Sequence, residues 1–479
     1  MIRVTNRYNV VLITIDALRY DHCGFNGYAR DTTPRMNFLA QKAAVFDNVY
    51  ATGPCTPPSF CSMFTATFPF DKGGYSPLPA GKVTIAEVMA QHGYQTAGFT
   101  SNPQNSHFFN YNKGFQKFFD SLGGSSKNPI TRRVLAHFES SGKRSNALYN
   151  RLQGLRIFPK IVQSSLKRLF YRFFLGRSII YYMPARGITR RAAKWLFYHY
   201  FSITPQDSAA RKPFFLWMHY MDTHDPFIPK WHHLAKLNPH FNKKEFDYVK
   251  RFPEYTDVLK LNDRKRSLID LYDAELRAED DRIGFFIRKF RRNGVFENTV
   301  FIITSDHGEE FNEHGDYGHR AHLHRELLHV PFMIFGGPVE RGEIPGLVAG
   351  TRTGHLFSLG QLAPTILDMV GIQPPRSFDM KSMIPALANA SKEAGAATAT
   401  TAIPNTTTDT TTRFPRQHVM ACTLHKGIQT RFNELNDRTI KRMVSIQDLD
   451  YKYILDMEAG NGVLYDLKSD PSERVDVSA

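Results

Sequence analysis

The sequence predicts an α/β protein in which a mostly parallel central sheet carries helices on both faces, followed by a smaller C-terminal α+β subdomain. Three observations predict it. Buried apolar runs of strand length alternate with amphipathic helical stretches. Several of those runs end directly in acidic and histidine side chains, at the strand exits where open α/β sheets place their sites. Near Gly371 the alternation gives way to a Thr/Ala-rich stretch and a hairpin pattern.

Taken in order, "NVVLITIDALRYDH" is a buried strand from Val10 to Ile15 that ends on the Asp16 carboxylate. "TPRMNFLAQKAAVFDNVYA" gives a helix with Met36, Leu39, Ala40 and Ala43 on one face, then a short strand over Val45 to Tyr50. In "TIAEVMAQHGYQTAGFTSN", Thr84 caps a helix, Gly93 stops it, and Thr96 to Thr100 forms the next strand. "KPFFLWMHYMDTHDPF" and "ENTVFIITSDHGEEF" are two further buried strands, each running into polar, acidic and histidine residues. The helix in "LGQLAPTILDMVGI" closes the main α/β domain, residues 1–372. Residues 373–479 form the smaller subdomain, with a Thr-rich loop at 396–412, a hairpin in "YKYILDMEAGNGVLYDL" turned at Gly460 to Gly462, and the polar tail "KSDPSERVDV".

Composition narrows the class. The four cysteines, Cys23, Cys55, Cys61 and Cys422, form no CxxC pair, which argues against a zinc ribbon or disulfide framework and fits a reducing compartment. The start, "MIRVTNRYNVVLITID", has only a short apolar run leading into an acid, unlike a signal peptide, and no run reaches transmembrane length. The expectation is a cytoplasmic protein, soluble or peripheral at a membrane.

The formal charge of +16 is concentrated in a basic insertion at 131–201, which holds 15 Lys/Arg against one acid, Glu139. Within it, Lys160 to Arg172 sets Val162, Leu166, Leu169, Phe170 and Phe173 on one helical face and Lys160, Lys167, Arg168 and Arg172 on the other. Such a segment suits an anionic membrane surface or another polyanion, and equally an insertion helix packed on the core with a solvated basic face. No nucleic-acid recognition module is visible.

The chemistry-bearing residues stand at the strand exits. Asp16 and the pair Asp306-His307 can converge in a parallel sheet although far apart in sequence, and two carboxylates with an imidazole suit a divalent cation. "SDHGEEFNEHG" crowds Asp306, His307, Glu309, Glu310, Glu313 and His314 after one strand, a density of charge that is expensive unless something binds it. His219 and Asp222 are weaker candidates that also fit a core histidine and a turn residue, and His314 fits a structural one. In "YATGPCTPPSFCSMFTATFPF", Cys55 and Thr56 stand side by side as candidate nucleophiles.

Those stretches, with "LLHVPFMIF", "LAPTILDMVGI" and "LYDLKSDPSE", resemble in order the landmarks of the sulfatase family within the alkaline phosphatase superfamily. The resemblance covers nearly the whole chain except the basic segment. It implies an alkaline phosphatase-like fold and a metal-dependent hydrolase of sulfate or phosphate esters. A transferase moving a phospho-headgroup to a glycan or lipid, and a non-catalytic anion-binding relative, are the alternatives. Asp16, Asp306 and His307 match metal ligands, with Ca²⁺ favoured and Mn²⁺, Mg²⁺ or Zn²⁺ as alternatives. Ala17 stands where sulfatases carry a second acid, a pattern closer to phosphonate monoester hydrolases and threonine-type lipid phosphotransferases.

The family signature is Cys or Ser, any residue, Pro, any residue, Arg, its first residue oxidised to formylglycine. From Cys55 it finds Pro57 but Ser59 for Arg; from Thr56 it finds Pro58 but Phe60 for Arg. The following "SMFT" falls at the family distance from Thr56. Thr56, which cannot become formylglycine, is then both nucleophile and metal ligand, in a covalent mechanism; it also fits a plain helix cap. His224 matches the family's histidine beside the transferred group. His319 matches the position of an oxyanion partner, with His322 its rival, and Asn102 occupies the place of a family lysine, offering a neutral hydrogen bond to substrate.

Overall fold

The computed structural model describes residues 8–69, 77–120, 182–201, 212–251, 264–319, 322–390, 418–426 and 440–478. The Lys160 to Arg172 stripe and the Thr-rich loop 396–412 lie outside them, as does most of the basic insertion. A sheet of eight strands runs β10 (Thr351–Ser358), β2 (Ala44–Tyr50), β9 (Phe332–Gly336), β6 (Thr299–Ser305), β1 (Asn9–Ile15), β5 (Phe214–Tyr220), β3 (Gln95–Phe99), β4 (Lys117–Phe119). Within it, β9 alone runs opposite to the others. The predicted mostly parallel sheet is present. The β2 and β3 strands each begin one residue earlier than the sequence pattern suggests.

Every residue of β1, β5 and β6 is buried, which is why these strands read as continuous apolar runs rather than alternating ones. Val10 and Leu12 face a core shared with α2 (Thr56–Thr65), α3 (Ile85–Gln91) and the Leu362–Met369 helix. Val11, Ile13 and Ile15 face the opposite core, covered by α1 (Pro34–Ala40), α4 (Ala185–Leu196) and α5 (Arg264–Arg292). Helices therefore lie on both faces. The expected Thr84 cap is a capping box: its Oγ1 accepts the Glu87 amide at 3.2 Å while Glu87 Oε2 accepts the Thr84 amide at 2.9 Å. No helix among the described residues is long and apolar enough to cross a membrane.

A separate antiparallel sheet follows, β11 (Val419–Lys426), β12 (Ile440–Gln447), β13 (Tyr451–Asp456) and β14 (Asn461–Asp466). Val419, Ala421, Ile454 and Tyr465 join the same core as α2. The predicted hairpin is β13 and β14. Gly460 supplies the positive φ of 68° at its turn, whereas Gly462 lies within β14, where a Cβ would fall 2.1 Å from the Tyr453 hydroxyl. The tail is tied down through Glu473, whose carboxylate accepts Lys452 Nζ at 2.9 Å and pairs with His324 Nδ1 at 3.1 Å. Its carbonyl lies 3.0 Å from Nε2 of His314, so His314 is engaged structurally.

Candidate active site

The exits of β1, β5 and β6 and the start of α2 converge at the C-terminal edge of the main sheet. Asp16 follows β1 and is held by its amide to the Tyr220 carbonyl at 2.9 Å. The chain then turns through Ala17, whose φ of 56° is the left-handed region. Thr56 opens α2, with Cys55 outside as the N-cap in extended conformation and Pro57 in the first turn, where a missing N–H costs nothing. Asn102 follows β3, and its Oδ1 accepts the Gln104 amide at 2.8 Å, which turns Nδ2 inward. That nitrogen donates to Asp16 Oδ2 at 2.8 Å and to Thr56 Oγ1 at 3.1 Å. Thr56 Oγ1 lies 3.3 Å from Asp16 Oδ2 and 3.4 Å from His307 Nε2.

The donor set fits a cation. His307 Nδ1 lies 2.8 Å from the Gly308 carbonyl, so it carries the proton and Nε2 presents a lone pair. This Nε2 stands 3.5 Å from Asp16 Oδ1 and 3.6 Å from Asp306 Oδ2. Both of those oxygens are buried without a hydrogen-bond partner. Two orphaned carboxylate oxygens around an imidazole lone pair repel one another, and a shared divalent ion would satisfy all three. Asp16, His219 and Asp306 also offer ligand atoms within 4.8 Å of one another.

The field divides the two carboxyls. Burial works against charge on Asp16, but His224, His219 and His307 outweigh it and hold the group well below the ordinary carboxylate range. Burial, followed by the Asp16 charge, pushes Asp306 well above that range. Burial, with His319 next, lowers His307 to about 3, which keeps its imidazole neutral. Burial opposes charge on His224 too, yet Asp16 and Asp225 prevail and raise its pKa.

His224 and His319 ring the cluster. Their ring centroids are 4.8 Å apart, and His319 lies 4.4 Å from the His307 ring. His319 Nδ1 rests on Glu309, a fully buried carboxylate, at 3.2 Å. Gly308 lets the Glu326 backbone approach this segment closely, because a Cβ there would fall 2.0 Å from the Glu326 carbonyl.

The structure thus brings together Asp16, Thr56, Asn102, Asp306 and His307, with His224 and His319 beside them. The His322 ring lies 5.9 Å from the His324 ring. His219 is buried as a core histidine would be, but its Nε2 is 3.1 Å from Asp16 Oδ2. No local sequence signal places it there; the pairing of β5 with β1 does. Glu309 stood within the crowded acidic stretch but carried no assignment. Asp222, read as a turn residue, accepts the Ala185 amide at 2.6 Å, and burial pushes its carboxyl up to about 7.

Comparison with known proteins identifies the family. The family model described as Sulfatase matches residues 8–372. Human Arylsulfatase K is 23% identical over 389 residues, covering 80% of this chain and 67% of its own. The rat protein of that name is 23% identical, covering 81% and 64%. The chain thus spans about two thirds of the length of these curated relatives. Among solved structures, the phosphonate monoester hydrolase of Agrobacterium radiobacter aligns with a TM-score of 0.61 at 17% identity, covering 98% of this chain and 92% of that one. A 2-O GAG sulfatase aligns with a TM-score of 0.61 at 15% identity, covering 98% and 88%.

Proposed function

The chain belongs to the sulfatase family, and from that premise we propose that it hydrolyses sulfate or phosphate esters through a covalent Thr56 ester at a site built to hold a divalent cation. The observation that carries this is the position of Thr56 Oγ1 beside Asp16 and His307 Nε2, with the two unsatisfied oxygens Asp16 Oδ1 and Asp306 Oδ2 in the same cluster. Asp16, Asp306, His307 and Thr56 would hold the ion, and this donor set admits Ca²⁺, Mn²⁺, Mg²⁺ or Zn²⁺. When bound, the ion supplies positive charge to the ester oxygens and to the threonine alkoxide.

The chain's own residues account for the rest. Asn102 donates to Thr56 Oγ1 and the His307 Nε2 lone pair would be taken by the ion, so the hydroxyl hydrogen is directed to Asp16 Oδ2. Oγ1 gives its proton to Asp16 Oδ2 and forms a bond to sulfur or phosphorus while the bond to the leaving alcohol oxygen breaks. His224, whose charge Asp16 and Asp225 favour, gives that oxygen its proton, and His319 stands beside the transferred group. Water then attacks the same sulfur or phosphorus and gives a proton to the now neutral His224, the bond to Oγ1 breaks, and Oγ1 regains its proton from Asp16 Oδ2. The test is mass spectrometry after acid quenching during turnover. The peptide bearing Thr56 should carry one sulfuryl or phosphoryl group; an adduct on Cys55, or an aldehyde there, overturns the mechanism.

We further propose that the basic insertion docks the enzyme on an anionic membrane surface. Its charge supports this, as does the end of α4, where Arg190, Arg191 and Lys194 are exposed beside Phe197 and Tyr198.

A further inference from the structure

His219 is buried against Asp16, and the question is whether it is a ligand of the cation or acts through Asp16. The register of the sheet answers it. Thr14 and Asp16 lie two residues apart on one side of the β1 exit, and Trp217 and His219 do so on β5, with Thr14 paired to His219. Trp217 Nε1 donates to Thr14 Oγ1 at 3.0 Å, and an indole nitrogen can only donate. Thr14 then has one proton to give, and it has two acceptors: His219 Nδ1 at 2.8 Å and the Met218 carbonyl at 3.4 Å. The shorter and better bond is to His219. With Nδ1 accepting, the proton of the neutral ring is on Nε2, which donates to Asp16 Oδ2 at 3.1 Å.

We propose that Trp217, Thr14 and His219 form a positioning relay that delivers the His219 Nε2 proton to Asp16 Oδ2, so that Asp16 Oδ1 is left as the atom that takes the cation. The alternative, a lone pair on His219 Nε2 ligating the ion, would leave that lone pair facing a carboxylate oxygen and give the Thr14 proton only its long bond. The distribution of bonds on Asp16 agrees with the relay. Oδ2 receives Asn102, His219 and Thr56, while Oδ1 has no partner. The ring of Phe60 stands edge-on to His219, 5.0 Å away, and Thr14, Trp217 and His219 are fully buried, so water does not compete for these bonds. His219 is on this account a positioning residue, holding a ligand's carboxylate in one rotation as outer partners of metal ligands do.

The inference rests on the proposal that Asp16, Asp306 and His307 hold a divalent ion, and the experiment separates the two. Whole protein labelled with ¹⁵N-histidine is loaded with ¹¹³Cd²⁺ and examined by NMR, with the His219 and His307 signals assigned from His219→Gln and His307→Gln. The relay predicts cadmium coupling to His307 Nε2, none to His219, and a proton-bearing Nε2 on His219. Cadmium coupling to His219 overturns the relay and leaves the cation site standing; no cadmium binding overturns both. Titration of the metal-free protein with Cd²⁺ gives the second readout. His219→Gln, which keeps an N–H donor, should bind with unchanged stoichiometry and about 10-fold weaker affinity, and His219→Leu about 100-fold weaker. Thr14→Val should weaken binding in the same direction although it touches no ligand; wild-type affinity in Thr14→Val overturns the relay.

Discussion

Thr56 Oγ1 lies 3.3 Å from Asp16 Oδ2, a contact made between residues 40 positions apart because one opens α2 and the other leaves β1. Cys55 precedes Thr56 as the extended N-cap of α2. Thr56→Ala should therefore reduce turnover of an activated ester by about 10³-fold or more, with fold and metal content intact, whereas Thr56→Ser should keep a measurable fraction and Cys55→Ala most of it. Steady-state rates on the three variants decide the matter, and a dead Cys55→Ala protein would refute the assignment.

The two orphaned oxygens make a second prediction with opposite signs in two conditions. Burial and Asp16 raise the Asp306 carboxyl, so ionising it in metal-free protein costs stability. With chelator present, Asp306→Asn should melt above wild type at neutral pH. With saturating divalent cation the order should invert, because wild type gains about 2.7 kcal/mol at a hundredfold excess over Kd and the variant loses a ligand. Melting curves that do not cross would place the ion elsewhere.

The chemistry legible in the sequence follows from strand ends. Asp16, Asp306 and His307 were legible because a buried parallel strand announces its exit by the first charged residue, and the exit is where such sheets gather their sites. His219 was not, because an apolar environment and a hydrogen-bonded role beside a carboxylate leave the same trace in sequence. Only the parallel register of β1 against β5, which no local pattern encodes, sets it beside Thr14 and Asp16. The reversed strand β9 was likewise silent, since a buried strand has the same composition in either direction.

Docking of the basic insertion predicts salt-sensitive vesicle binding. The protein should sediment with vesicles rich in phosphatidylserine and far less with phosphatidylcholine alone, and added salt should release it as charges are screened. Arg190→Ala with Lys194→Ala should weaken binding without slowing hydrolysis of a small soluble ester, because these exposed residues on α4 take no part in the cluster around Thr56. Equal partitioning onto both vesicles would leave the insertion as a solvated surface.

The last prediction concerns the C-terminal anchor. Glu473 is 2% exposed and its carboxylate receives Lys452 Nζ, while its partner His324 and the Arg325 amide come from the segment that follows the site loop. Burial opposes its charge, but Lys452 and His324 overcome this and lower it from 4.5 to about 2. A carboxylate depressed in the folded state contributes stability that is fully present above its unfolded value and lost as pH falls through the folded one. The window is therefore pH 4.5 down to 2, and the shift corresponds to at most about 3 kcal/mol. Glu473→Gln should destabilise the protein at pH 7, because it strands the buried Lys452 ammonium, and should flatten the stability profile across that window. Adding Lys452→Met should recover most of the loss by removing the stranded charge. Urea unfolding at several pH values measures each of these, and parallel profiles for wild type and Glu473→Gln would show that the pair does not anchor the tail.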